Sequence, residues 1–109
     1  MIKYSEIQNI FGEKGINAIE YNYETDEEIV TPFIVYVAVD STSFNADSIN
    51  YIKMLNIRMA LIDEFINNPV MGLIEQTFND NSVTYEKAID FDNESRLYST
   101  QYSFTVIDG

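Results

Sequence analysis

The chain has 109 residues, of which 46 % are apolar, and its formal net charge is −12. This length predicts a single domain over residues 1–109, with a core that requires neither disulfides nor metal. Cysteine and histidine are both absent, which excludes thiol chemistry and removes the commonest general base and transition-metal ligand. We therefore expect a protein that is not an enzyme, with no catalytic residue, no cofactor and no metal site.

The few basic residues are scattered along the chain, at Lys3, Lys14, Lys53, Arg58, Lys87 and Arg96. Because affinity for nucleic acid comes from many Lys and Arg contacts to phosphates, specific DNA binding is not expected. Charged residues interrupt the N-terminus before any apolar run, and no apolar stretch reaches membrane-spanning length. We predict no membrane association and assembly in a cytosol.

The first half of the chain predicts one helix and two strands. Apolar residues at spacings of three and four predict a helix over residues 3–13. Alternation predicts a strand over 16–23, followed by an acidic loop over 24–28. The apolar, β-branched run over 33–39 predicts a central strand that begins after Pro32.

The second half predicts three strands and one helix. The polar composition of 40–50 predicts a loop, and 51–63 is compatible with strand or helix, with strand favoured by its alternation. Pro69 and a capping Asn predict a helix over 68–79. Strands are predicted over 83–89 and 96–107, joined by a polar turn at 90–95. The order α-β-β-β-α-β-β predicts an α+β fold, with an antiparallel sheet of about five strands packed against two helices.

Several motifs of the chain resemble a known family. They are Thr31-Pro32-Phe33-Ile34-Val35-Tyr36, Phe44-Asn45-Ala46-Asp47 with Tyr51, Val83-Thr84-Tyr85, and the Tyr-rich run from Glu94 to Phe104. This pattern, spread from Ile16 to Val106, resembles the tail terminator (tail completion, head–tail joining) proteins of long-tailed phages of Gram-positive bacteria.

The resemblance implies a structural virion protein of the tail or neck, assembled in the cytoplasm of the bacterial host. Such proteins form a homohexameric ring on the last ring of tail-tube protein. The ring ends tube polymerisation and offers a docking face to the head connector. DNA passes through the ring without being specifically bound.

Two segments are candidate interaction sites. Phe44 and Asp47 lie in a polar stretch and could dock on a partner, although Phe44 could equally fold back on the core. Asp26, Glu27 and Glu28 belong to the acidic loop, which could contact a partner or a hard cation or remain a solvated loop.

Other patterns leave alternatives open. The spacing of Asp90, Asp92 and Glu94 is similar to that of calcium ligands, but the Gly and the later Glu of a calcium loop are missing, so a solvated turn is the simpler interpretation. Tyr85, Tyr98 and Tyr102 could line a subunit interface or pack across the hairpin.

The strong negative charge also has three interpretations. It could provide solubility, or repel DNA from the lumen of a ring. The alternative function is a small acidic DNA mimic that inhibits a nucleic-acid-processing enzyme.

Overall fold

The computed structural model describes residues 2–21, 30–46 and 50–108. In chain order these form a 3-10 turn (Tyr4–Glu6), helix α1 (Ile7–Glu13), strands β1 (Ala18–Glu20), β2 (Phe33–Ala46) and β3 (Asn50–Asp63), helix α2 (Asn68–Asp80), and strands β4 (Tyr85–Asp92) and β5 (Leu97–Ile107). The predicted α+β class and element order are therefore confirmed.

The strands form one five-stranded sheet in the order β1-β2-β3-β5-β4. β2 with β3, β3 with β5, and β4 with β5 are antiparallel. β1 instead runs parallel to β2, with Ala18 opposite Ile34 and Glu20 opposite Tyr36. The sheet is therefore mixed: the predicted antiparallel arrangement holds for β2, β3, β4 and β5, whereas β1 is parallel to its neighbour. The chain between β1 and β2 is longer than a hairpin turn, which permits a parallel pair.

Both helices contribute to a core on one face of the sheet, which we call the helix face. Its centre is Phe78 of α2, whose ring lies 4.8 Å from the ring of Phe104 and 5.6 Å from that of Tyr102. Phe11 of α1 approaches the same ring edge-on at 6.1 Å. Buried residues around this centre include Ile7, Ile34, Ile57, Met59, Leu61, Ile74 and Val106. Because each such side chain contributes about 1.5–3 kcal/mol on burial, this layer dominates the stability of the fold.

The start of α2 is fixed by a short chain of hydrogen bonds. The Asn67 side chain accepts a hydrogen bond from the backbone N–H of Val70 at 3.2 Å, as expected of a helix cap. Its amide nitrogen donates to the carboxylate of Asp63 at 2.9 Å. Asp63 is 4 % exposed and also accepts from the N–H of Glu64 at 2.8 Å. The predicted start and type of this helix are confirmed.

The predicted loop over 40–50 was largely wrong. β2 continues to Ala46 and β3 begins at Asn50, so the two strands form one long hairpin in which Phe44 lies opposite Ile52. The strand predicted over 51–63 is confirmed. The polar composition of 40–50 led to the wrong prediction for a physical reason. Two strands pair through backbone groups, so polar residues can form a hairpin that extends beyond the core.

Other element ends also differ from the prediction. The described part of the strand predicted over 16–23 forms only β1, and residues 22–23 lie outside the described residues. The strand predicted over 83–89 begins at Tyr85 and extends to Asp92. The predicted turn at 90–95 is therefore shorter, and it closes with Arg96 at a φ of 60°. The N–H of Arg96 donates to the carbonyl of Asp92 at 2.8 Å. The pairing of β4 with β5 therefore extends into the segment that its polar sequence predicted to be a turn.

Candidate interaction surfaces

Of the five predicted interaction residues, the structure describes only Phe44. Asp26, Glu27, Glu28 and Asp47 lie outside the described residues. Phe44 lies on β2, where its backbone pairs with Ile52 of β3. The predicted loop carrying Phe44 is therefore a strand, and the docking role of all five residues stays a prediction.

The outer part of the β2–β3 hairpin forms an arm, which we define as Phe44–Ala46 with Asn50–Ile52. β5 pairs with β3 from Met54 to Asp63, and β1 pairs with β2 from Ile34 to Tyr36. Within the described chain the two strands of the arm thus pair with each other alone. The molecule is elongated, with a longest dimension of 50 Å. The backbone edges of the arm are available for pairing with another chain.

The face of the sheet opposite the helices, which we call the open face, is apolar over its β1–β3 half. Residues of β2 alternate, so that Ile34 and Tyr36 enter the core while Phe33, Val35 and Val37 point to the open face. Residues in register with these extend the surface, namely Ile19, Ala60 and Ile62, and Leu97 of β5 adjoins it. A groove of about 440 Å³ is lined by Ile19, Phe33, Val35, Ile62 and Leu97. Val37 and Ala60 line a smaller groove of about 160 Å³ beside it.

The open face becomes acidic along β4. Glu86 pairs with Ser103 and Asp90 with Ser99, which places both acids on the open face. Asp92 is opposite Leu97 and lines the end of the apolar groove. All three acids are exposed. The open face therefore changes from apolar at β1–β3 to negatively charged at β4, with Arg58 of β3 between the two halves.

On the helix face, the carboxylate of Glu75 joins α2 to the β4–β5 hairpin. Glu75 accepts hydrogen bonds from the hydroxyl of Tyr85 at 3.0 Å and from the ammonium group of Lys87 at 3.1 Å. The Tyr102 hydroxyl donates to the same group at 3.2 Å. Burial raises the pKa of Glu75, but these three donors together outweigh it and hold the pKa below its ordinary value. The cluster is satisfied within the fold, which indicates a structural junction.

The three tyrosines considered for an interface pack within the hairpin. The rings of Tyr85 and Tyr102 lie 5.6 Å apart, and the Tyr98 ring lies 4.8 Å from that of Phe91. Cross-strand packing, one of the two alternatives, is therefore confirmed. Burial raises the pKa values of Tyr85 and Tyr102, and the neighbouring Glu75 carboxylate adds to both effects.

A second tyrosine site joins the N-terminal turn to the sheet edge. The rings of Tyr4 and Tyr36 meet edge-on at 5.8 Å. Burial, the charge of Glu20 and a hydrogen bond to its carboxylate raise the pKa of Tyr4 to about 12. Burial followed by the same charge also raises the pKa of Tyr36. The Glu20 carboxylate thus bonds to Tyr4, while Glu20 also lines the apolar groove at the β1 edge of the sheet.

The acids at the end of the β4–β5 hairpin bond to their own turn. Asp90 accepts from the N–H of Phe91 at 2.9 Å. Asp92 accepts from the hydroxyl of Ser95 at 2.8 Å and from the N–H of Glu94 at 3.1 Å. These hydrogen bonds, the Ser95 bond first, lower the pKa of Asp92. Over residues 2–21, 30–46 and 50–108, no three acids group closely enough to hold a metal ion.

Sequence reasoning did not identify the open face as a surface. The continuous apolar run over 33–39 predicted a central strand, and runs of this kind usually belong to strands that are covered on both sides. In the described part of the chain, both helices lie on the same side of the sheet. The apolar residues Phe33, Val35 and Val37 are visible in the sequence. That they form a surface becomes clear only when the positions of both helices are known.

Comparison with known proteins leaves the family of the chain open. No protein-family model matches the chain, and no curated protein matches it significantly. Within the part of the chain that the structure describes, neither helix has the length and apolarity needed to cross a membrane. The geometry of the arm and the open face is therefore the basis for proposing a function.

Proposed function

We propose that this protein is a structural subunit that caps the tail tube of a long-tailed phage. In this proposal it forms a ring, by resemblance a hexamer, on the last ring of tube protein. The ring ends polymerisation and joins the tail to the head connector, and DNA later passes through it. It is a virion protein of the tail or neck without catalytic activity.

The observation that carries the proposal is the arm. A two-stranded hairpin alone is marginally stable in water, because it lacks a packed layer on either side. The arm continues beyond the sheet, with its strands paired only with each other in the described chain. Such a ribbon gains stability when another chain adds to its edge or covers it. An assembly subunit has a use for this extension, whereas a monomeric protein does not.

The net charge of −12 is compatible with the same role. Negative charge on a surface that DNA passes repels the phosphate backbone, and this reduces adhesion during transit. The acids of β4 are exposed and provide part of this charge. They also favour the second candidate function, a DNA mimic that occupies the nucleic-acid site of an enzyme.

A tube-capping assay tests the proposal. Purified tail-tube protein is polymerised with and without this protein, and tube lengths and ends are measured by electron microscopy. We expect shorter tubes that carry a ring at one end. Because template-assembled rings can be monomeric in free solution, the oligomeric state alone does not decide the question.

An arm variant adds a sharper test. Residues 43–53 are replaced with Asn-Gly, which joins the paired positions Thr42 and Met54 by a two-residue turn. We expect a folded protein with a cooperative thermal melt that no longer caps tubes, while Leu73→Ala on the exposed side of α2 still does. Full capping by the shortened variant would contradict the role of the arm. Unchanged tube length together with inhibition of a DNA-binding enzyme would favour the DNA mimic.

A further inference from the structure

The open face departs from the usual pattern of a one-sided antiparallel sheet. Such sheets normally alternate, with apolar residues toward the core and polar residues toward water. β2 instead carries apolar side chains on both faces, and Val35 and Val37 continue the surface that begins at Phe33. These outward side chains are half-buried by one another and by their neighbours on β1 and β3. An apolar area of this kind marks a binding site.

The dimensions of this area match one helix. Three adjacent strands spaced about 4.8 Å apart present a strip roughly 10–14 Å wide, close to the 10–12 Å diameter of an α-helix with its side chains. From Phe33 to Val37 the strip extends roughly 13 Å, which corresponds to about two and a half helical turns. The groove ends at Leu97 and Asp92 near the β4–β5 turn. A helix of about ten residues therefore fills the surface.

The charge distribution specifies the chemistry of that helix. Glu86, Asp90 and Asp92 run along the β4 side of the open face, parallel to the apolar strip. Arg58 lies between the strip and the acids. A helix lying on β1–β3 would therefore direct one flank toward the carboxylates beyond Arg58. Lys or Arg on that flank would pair with them, whereas acidic residues would be repelled.

A second copy of this chain is a poor occupant of the surface. It has six basic residues against eighteen acidic ones. Two of the six are already engaged, because Lys87 pairs with Glu75 and Lys53 with Asp108. Two copies would bring a charge of −12 each toward the same acidic edge. Charge complementarity therefore favours a different protein.

We propose that the open face binds an amphipathic helix of another protein, with its apolar side on Phe33, Val35 and Ile62 and its basic flank along β4. This inference does not depend on ring formation, since the surface lies on the body of the sheet, away from the arm. The protein would then have, besides its role in assembly, a binding site for a basic helix of a partner.

Selection from a displayed library of random twelve-residue peptides tests this inference on the whole protein. We expect enrichment of sequences with apolar residues at helical spacing and Lys or Arg on one side. Binding of the selected peptides, measured by fluorescence anisotropy, should fall at least tenfold in Val35→Asp and in the nearly isosteric Val35→Thr. It should also weaken as salt is raised. Thermal melts of both variants are the control that the protein remains folded.

A matched pair of double variants separates site-specific pairing from general attraction to an acidic protein. Glu86→Gln with Asp90→Asn removes two charges from the acidic edge, and Glu6→Gln with Glu13→Gln removes two from the region of α1. We expect a severalfold loss of binding in the first pair and little change in the second. The inference would be overturned if both double variants lost the same amount of binding, or if the selected peptides bound the Val35 variants as tightly as the wild type. It would also be overturned if the library yielded no enriched sequences. A wild-type dimer that Val35→Asp dissociates would overturn it as well, because a second copy would then occupy the face.

Discussion

The hydroxyl of Tyr102 on β5 lies 3.2 Å from the carboxylate of Glu75 on α2 and donates a hydrogen bond to it. Tyr85 and Lys87 of β4 donate to the same carboxylate. One side chain thus connects the helix to two strands. Because Glu75 is the common acceptor of all three groups, its removal leaves partly buried donors without a partner.

We predict that Glu75→Gln lowers the free energy of unfolding by about 1–2 kcal/mol, since charge-assisted hydrogen bonds are replaced with weaker neutral ones. Urea denaturation monitored by circular dichroism measures the change. The matched control is Glu86→Gln, which removes the same charge from an exposed position of β4 and should change stability little. Equal effects of the two variants would mean that net charge, and not the Glu75 cluster, is responsible.

The Glu75 cluster also predicts how the stability of the fold changes in acid. The pKa of Glu75 is lowered in the fold, so its ionised form stabilises the protein. This contribution is complete above the ordinary glutamate pKa of about 4.3 and is lost as the pH falls through the lower folded value. We expect the acid-induced loss of stability to be shallower in Glu75→Gln than in the wild type. Identical slopes in urea melts at several pH values would contradict this expectation.

The raised pKa of Tyr4 predicts how the stability of the fold changes in alkali. Its pKa is raised to about 12 in the fold, whereas a tyrosine in the unfolded chain titrates near 10. The neutral phenol is therefore favoured by folding, and its contribution is complete below pH 10 and is lost as the pH rises toward 12. We expect Tyr4→Phe to reduce the loss of stability over this interval. Glu20→Gln should lower the Tyr4 pKa, observed as earlier tyrosinate absorbance; an unchanged titration would contradict the assigned contact.

Phe78 is the aromatic centre of the core, with its ring against those of Phe104, Tyr102 and Phe11. We predict that Phe78→Ala destabilises the fold by about 3–5 kcal/mol, because it removes a large buried side chain and leaves a cavity. Phe78→Leu should cost less. Leu73→Ala, on the same helix but 42 % exposed, is the control and should cost little. Calorimetry that ranks Leu73→Ala with Phe78→Ala would contradict the described packing.

Asp63 and Asn67 act together at the start of α2, so their energies should not add. We predict a loss of about 1–3 kcal/mol for Asp63→Ala, which leaves the partly buried Asn67 amide without its acceptor, and about 1 kcal/mol for Asn67→Ala, which removes the cap. The double variant should cost less than the sum by at least about 0.5 kcal/mol. Denaturation of the three variants measures the coupling, and strict additivity would mean that Asp63 does not position the cap.

The sequence predicted the elements whose signals are local. Pro69 and the capping Asn67 located α2, and the alternation around Arg58 identified β3 although helix formers are also present. The long hairpin was missed because Ser43 and its neighbours pair through backbone atoms, which composition does not report. The parallel placement of β1 was missed because it depends on the path of the connecting chain.

The interaction surfaces were harder to predict. An apolar residue such as Val35 has the same sequence signal whether a helix covers it or leaves it open. The acidic edge of β4 became visible only through the register that aligns Glu86 and Asp90 with β5. Surfaces of this kind arise from the arrangement of several elements, so no single segment of the sequence specifies them.

The position of β5 has a consequence for synthesis of the protein. This strand comes after all other elements in the chain, yet it is inserted between β3 and β4 and supplies Tyr102, Phe104 and Val106 to the core. A nascent chain emerging N-terminus first therefore exposes the apolar sides of β2, β3 and α2 until β5 has left the ribosome. Folding of these elements should consequently be all-or-none and wait for the synthesis of β5, and chains that stop before β5 should depend on chaperones to remain soluble.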